Sequence, residues 1–165
     1  MEHNLENYPW WDYLEKDIQE LIKEAYLLID TVERWETEFS DYSFIVFPAA
    51  KGYEGFLKKL FLDIGVISER DFNGKHFRIG KALNPSLDRK RYKNESVYDK
   101  LNEYCGGEEL ANYLWQTWKT CRNKLFHWFP NKSQAITFDE AKVKVKRVVD
   151  SINLAFKDCK VEISK

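Results

Sequence analysis

The sequence predicts an all-α, up-and-down helical bundle with a long basic insertion between its second and third helices. Three observations carry this expectation. Apolar residues recur at spacings of three and four along several long stretches, helix start and stop signals bracket those stretches, and no series of alternating strands lies between them. With 165 residues, 44% hydrophobic and 16% aromatic, the chain can bury a core without a staple, so a single helical domain over residues 1–165 is expected.

Residues 11 to 37 read as the first helix, because Leu14, Ile18, Leu21, Ala25, Leu28, Val32 and Trp35 alternate at four and three. Asp41 to Gly65 reads as the second, with Ala50, Tyr53, Leu57, Leu60 and Ile64 as its apolar line, Pro48 in the first turn and Gly65 as the stop. Residues 71 to 95 lose periodicity and hold Gly74, Gly80 and Pro85 among seven Lys and Arg side chains, which gives the basic excursion, with room for a short helix or strand pair.

A short helix is expected from about Glu95 to Tyr104, ended by Gly106 and Gly107. Glu108 and Glu109 suit the positive first turn of the next helix, whose stripe is Leu110, Leu114, Trp118, Cys121, Leu125 and Trp128. Thr137 and Glu140 form a capping box for the last helix, with Ala141, Val145, Val148, Ile152 and Ala155 on one face. Val161 to Ile163 could add a stray strand.

Composition narrows the function classes. Seven glycines and four prolines are too few for a disordered chain. Cys105, Cys121 and Cys159 are odd in number and lack zinc or redox spacing, so three reduced thiols and no metal are expected. No secretory leader pattern and no apolar run of about 18 residues occurs, which sets the expectation of a soluble cytoplasmic protein. The net charge of −1 hides an asymmetry: residues 1 to 41 hold 12 acidic and 3 basic side chains, residues 42 to 165 hold 15 acidic and 23 basic. Such a body attracts polyanions, although solvated helix faces give the same numbers.

The chemistry-bearing motif is Arg122-Asn123-Lys124-Leu125-Phe126-His127. On a regular helix Asn123 and His127 share a face one turn apart, and Arg122 lies about 100° away yet reaches the same phosphate. A cation, an amide and a titratable imidazole together suit phosphodiester cleavage. The plainer reading is a helix C-terminus whose two cations complement the dipole, with Arg122 stacked on Trp118 or Trp115.

Arg, four residues, then His, near the end of a bundle helix and followed by a last amphipathic helix, resembles the HEPN superfamily. The stretch from Phe47 to Leu60 is similar to the second helix of RNase LS-type toxins, and the resemblance covers roughly residues 44 to 158. It implies a homodimer whose two motifs meet in a composite cleft, and a metal-independent endoribonuclease without cofactor. His127 would then be base or acid, Arg122 would stabilise the phosphorane, and Asn123 would orient phosphate or His127. Attack by the 2′-hydroxyl would leave 2′,3′-cyclic phosphate ends. Glu54 would position Arg122 or His127, the alternative being a surface pair with Lys51 or Lys58.

Lys75, His76, Arg78, Lys81, Arg89, Lys90, Arg91 and Lys124 are the candidate RNA contacts. The resemblance also implies a toxin of a toxin–antitoxin or phage-defence system. Some HEPN toxins carry a modifiable Tyr two positions after the His; Phe129 stands there, which favours a protein antitoxin. Trp128 and Phe129 could wall the cleft or form a hydrophobic contact beneath Pro130. Two rivals remain: a catalytically inactive HEPN-like RNA- or protein-binding module, and a helical antitoxin or scaffold.

Overall fold

The apolar stripe of the first helix settles where it lies. Ile18, Ile22, Ala25, Ile29 and Val32 are buried, and they define α1, Lys16–Val32. The expected helix from 11 to 37 is thus trimmed at both ends. Trp11–Tyr13 forms a 3₁₀ turn, and Trp35 is 50% exposed, its ring against Phe39 at 5.7 Å rather than in the core. A turn without a buried face gains little from packing and does not propagate.

The computed structural model describes residues 4–87, 96–128, 130 and 134–159. Among them are α2 (Ser43–Asp63), α3 (Glu69–Asn73), α4 (Ile79–Ala82), α5 (Val97–Tyr104), α6 (Gly107–Trp118) and α7 (Phe138–Asp158), and no strand. The all-α expectation therefore holds. The expected strand at Val161 to Ile163 lies outside the described residues.

Packing directions follow from side-chain pairs. Methyl groups built at Gly52 and Gly55 would meet Ile22 and Ile18 at 2.9 Å, so α1 and α2 run antiparallel in close approach. Thr117 and Thr120 reach Arg147 and Lys144, so α6 and α7 are antiparallel too. Tyr53, fully buried on α2, joins the inner elements, its hydroxyl 2.9 Å from Ser151 Oγ on α7 and donating to the Leu114 carbonyl on α6 at 3.2 Å. Replacing Gly52 with Leu should cost about 1–3 kcal/mol through overpacking against Ile22, read as a lower urea midpoint with an unchanged slope.

Termini follow the sequence closely. Gly65 ends α2 in the left-handed region, φ +73°, which a side chain would strain. Asp41 accepts from the Ser43 and Ile136 amides at 2.9 and 3.2 Å, tying the start of α2 to the approach of α7. The Thr137–Glu140 capping box is present. Pro48 stands within α2, in its second turn rather than its first, because the helix starts at Ser43. The described part of the basic excursion holds α3, capped by a Ser68–Asp71 box, and α4, which buries Ile79 and Ala82; residues 88–95 lie outside the described residues.

The expectation of three reduced thiols is corrected. Cys105, just after α5, and Cys159, just after α7, form a disulfide, with Cα atoms 4.4 Å apart. They are 54 positions apart in sequence, and the α6–α7 hairpin brings them together, so local spacing carried no signal. Cys121 is a buried free thiol, and burial pushes its pKa up.

Two buried tyrosines, Tyr13 and Tyr53, and the half-buried Tyr26 give the fold an alkaline limit. Burial, aided by Tyr8 and Asp150, pushes Tyr26 up to about 12; burial likewise raises Tyr13, which donates to Asp63 at 2.6 Å, and Tyr53. The folded values lie above the unfolded one, so this stability is complete below about pH 10 and is lost above it. Urea midpoints should fall as pH rises from about 10 to about 12, with tyrosinate absorbance appearing on unfolding. No described helix is long and apolar enough to cross a membrane.

Candidate functional site

The helix that carries the motif does not continue regularly. After Trp118 the chain widens into a π-turn over Lys119–Asn123, where the Lys124 amide donates to the Lys119 carbonyl at 3.0 Å. Single π-turns of this kind recur at functional sites. The extra residue changes which way each motif side chain points, and the chain leaves the helix before His127.

Arg122 points to α2. Its Nη2 donates to Glu54 Oε2 at 3.5 Å, and its guanidinium carbon lies 5.1 Å from the centroid of the Trp118 ring. The ion pair is long and both side chains are partly exposed, 39% and 35%, so it orients Arg122 more than it stabilises the fold. A guanidinium has five N–H donors in a rigid fork, and this contact engages one of them at Nη2. Glu54 meets Arg122 across 68 positions of sequence.

Arg122, Glu54 and the exposed His127 line one cavity of 410 Å³ together with Phe47, Ala50, Lys51 and Phe126. The α2 members stand at relative positions 0, 3, 4 and 7, one face of a helix. Phe47 meets Phe126 edge-on at 5.5 Å, fixing the motif segment against α2. Phe126 and His127 also line a second cavity of 470 Å³, together with Asp41, Ser43, Trp128 and Gln134. His127 thus borders both recesses.

Asn123 is not part of this cluster. Its amide faces α4, where a methyl group built at Gly80 would come within 3.4 Å of Nδ2 and 2.5 Å of Trp118 Nε1. The expectation that Asn123 and His127 share a face is therefore corrected, the π-turn being the reason. Trp128, expected on the buried stripe, is 84% exposed at the second recess, because the helical run ends at Asn123 and the buried stripe stops at Leu125. Phe129 lies outside the described residues.

The candidate RNA contacts divide. Lys124 is exposed beside the motif but lines neither recess; Lys75 is exposed before α4; His76, Arg78 and Lys81 surround a separate cavity. Arg89, Lys90 and Arg91 lie outside the described residues. Phe47, Lys51 and Phe126 were missed as site residues, although the face shared by Phe47, Lys51 and Glu54 on α2 was readable from spacing. Among the described residues no three His, Cys, Asp or Glu side chains gather into a group that could hold a metal ion.

A family model described as RnaseLS-like HEPN matches residues 13–84. No curated protein and no solved structure matches the chain. The match begins before the expected stretch of 44 to 158, takes in α1 through α4 with Glu54, and ends before the Arg122–His127 motif. The all-helical fold and this match from Tyr13 to Asn84 support a HEPN-superfamily domain that resembles RNase LS.

Proposed function

We propose that this chain, as one helical domain over residues 1–165, is a metal-independent endoribonuclease acting on single-stranded RNA. The observation that supports it is the convergence of Arg122, His127 and Glu54 on one cavity. A ribose 2′-oxygen attacks phosphorus, the bond to the 5′-oxygen breaks, and the ends are a 2′,3′-cyclic phosphate and a 5′-hydroxyl. His127 takes the 2′ proton or delivers one to the leaving oxygen. Arg122, oriented by Glu54, donates to the phosphoryl oxygens as charge builds on them. Asn123 seats α4 against the motif instead of touching phosphate.

One imidazole cannot be base and acid on opposite sides of phosphorus at the same instant. A homodimer with two motif copies across a composite cleft supplies both, and exposed Phe47 and Trp128 beside the recesses suit a covered face. Cationic side chains, Lys75, His76, Arg78, Lys81, Lys124 and the Arg89–Arg91 run, bind the rest of the strand. In the cell we place the protein in the cytoplasm, as a toxin of a toxin–antitoxin or phage-defence system held by a protein antitoxin. Thiols stay reduced there, so Cys105 and Cys159 would pair on exposure to oxidant.

The test is cleavage of a mixed single-stranded RNA in excess EDTA, with the product ends mapped and the all-deoxy strand as control. Cyclic-phosphate ends from RNA and none from DNA support the proposal. A second reading, a catalytically inactive HEPN-like RNA- or protein-binding module, is favoured by the Trp118 and Glu54 contacts of Arg122, which a structural arginine also makes. RNA binding without cleavage at any protein concentration selects that reading.

A further inference from the structure

The end of the bundle where α2 and α7 begin carries an aromatic cluster that lines neither recess at His127. Phe39 is its centre. The Phe39 ring lies 5.7 Å from Trp35, 5.6 Å from Tyr42 and 5.2 Å from Phe44, and Tyr42 continues to Phe138 on α7 at 5.6 Å. Tyr42, Phe44 and Phe138 pack against the core, whereas Trp35 is 50% and Phe39 37% exposed.

The α1–α2 connection that presents these rings is tied down. The Trp35 amide donates to the Val32 carbonyl at 3.0 Å, the Phe39 amide to the Tyr42 hydroxyl at 3.1 Å, and the Tyr42 amide to the Ile136 carbonyl at 3.1 Å. Aromatic side chains held in this way lose little freedom on contact, and tryptophan anchors carry much of the energy of protein interfaces. Charge sets the sign of the occupant. Between residues 33 and 39 the exposed Glu33, Glu36 and Glu38 stand against Arg34, and Lys142, over the Phe138 ring at 4.6 Å, is paired with Asp139 at 2.7 Å. The first 41 residues as a whole hold 12 acidic and 3 basic side chains. Such a surface repels nucleic acid and attracts cationic polypeptide.

We propose that this acid-rimmed aromatic surface docks a basic, apolar segment of a partner protein, with apolar side chains on Trp35 and Phe39 and lysines or arginines on Glu36 and Glu38. An arginine of the partner also stacks on the Trp35 ring. The surface is built from the α1–α2 connection and the starts of α2 and α7, not from the cationic side chains assigned to RNA. It does not require cleavage at His127.

The test is equilibrium binding of two labelled probes: an amphipathic helical peptide of Lys and Leu, and its twin with Glu in place of every Lys. The Lys peptide should bind the intact chain, more weakly as salt rises, and the Glu peptide should not. Affinity should fall by about tenfold or more in Trp35→Ser/Phe39→Ser and several-fold in Glu36→Gln/Glu38→Gln, with Glu20→Gln/Glu24→Gln on α1, the same change of charge, unaffected. Absence of binding, equal binding of the two peptides, or an equal loss in the α1 variant overturns the surface. Sedimentation of the chain alone addresses a second copy: salt-sensitive self-association lost in Trp35→Ser/Phe39→Ser gives the surface to a second copy and overturns the partner. Circular dichroism checks folding, and the single variants replace a double one that misfolds. Because no RNA is present, an inactive ribonuclease leaves this result intact.

Discussion

In single-turnover cleavage, His127→Ala should be slower than the intact chain by about 10²–10⁴-fold, the usual contribution of a positioned acid or base. Its melting temperature should stay within a degree or two, because His127 is an exposed side chain beyond the helix end, and truncation there opens no core cavity. Arg122→Ala should lose about 10²–10³-fold, the scale on which a single charge-stabilising donor acts. Arg122→Lys separates the roles: it keeps the charge but loses the fork and much of the stacking on Trp118, so it should recover only a small part of the rate. Parental rates in His127→Ala would remove the imidazole from the mechanism.

Phe56→Ala should have the largest effect on stability, about 3–5 kcal/mol. The ring is fully buried on α2, edge-on to Tyr13 at 6.3 Å. Against a usual total of about 5–15 kcal/mol, that loss puts much of the population near unfolding. Chemical denaturation gives the difference directly. Activity per folded molecule should be unchanged at low temperature, since Phe56 lies on the α1 side of α2 and the cleft lies on its Glu54 face. A loss under 1 kcal/mol would mean that α1 and α2 do not pack as described.

The long helices were legible because burial and periodicity are the same fact on a straight element. Ala141, Val145, Val148, Ile152 and Ala155 were readable as one face and all are buried. The limits of a face were less legible. Trp35 and Trp128 continue the arithmetic of their stripes, yet the partner surface stops before them, and only tertiary structure sets where a partner stops. The π-turn has no residue signature, so the placement of Asn123 could not be read, whereas Arg122 is long enough to reach Glu54 from either backbone. The Cys105–Cys159 pair depends on two helix ends meeting, a matter of helix lengths and not of spacing. α3 and α4 were blurred because helices of five and four residues carry too few turns to show a period.

When Cys105 and Cys159 are joined, the molecule becomes a covalent ring with two tails. The ring contains α6, the π-turn, Arg122, His127 and α7, whereas Glu54 and the face of α2 that completes the cleft belong to the N-terminal tail. A protease nick between Trp128 and Gln134 would therefore open the ring without releasing a fragment, and both halves of the motif hairpin would stay tethered through the sulfur bridge. Reduction alone would also release nothing. Oxidised and nicked, this protein would keep its cleavage machinery on one connected molecule; only nicking and reduction together would divide it.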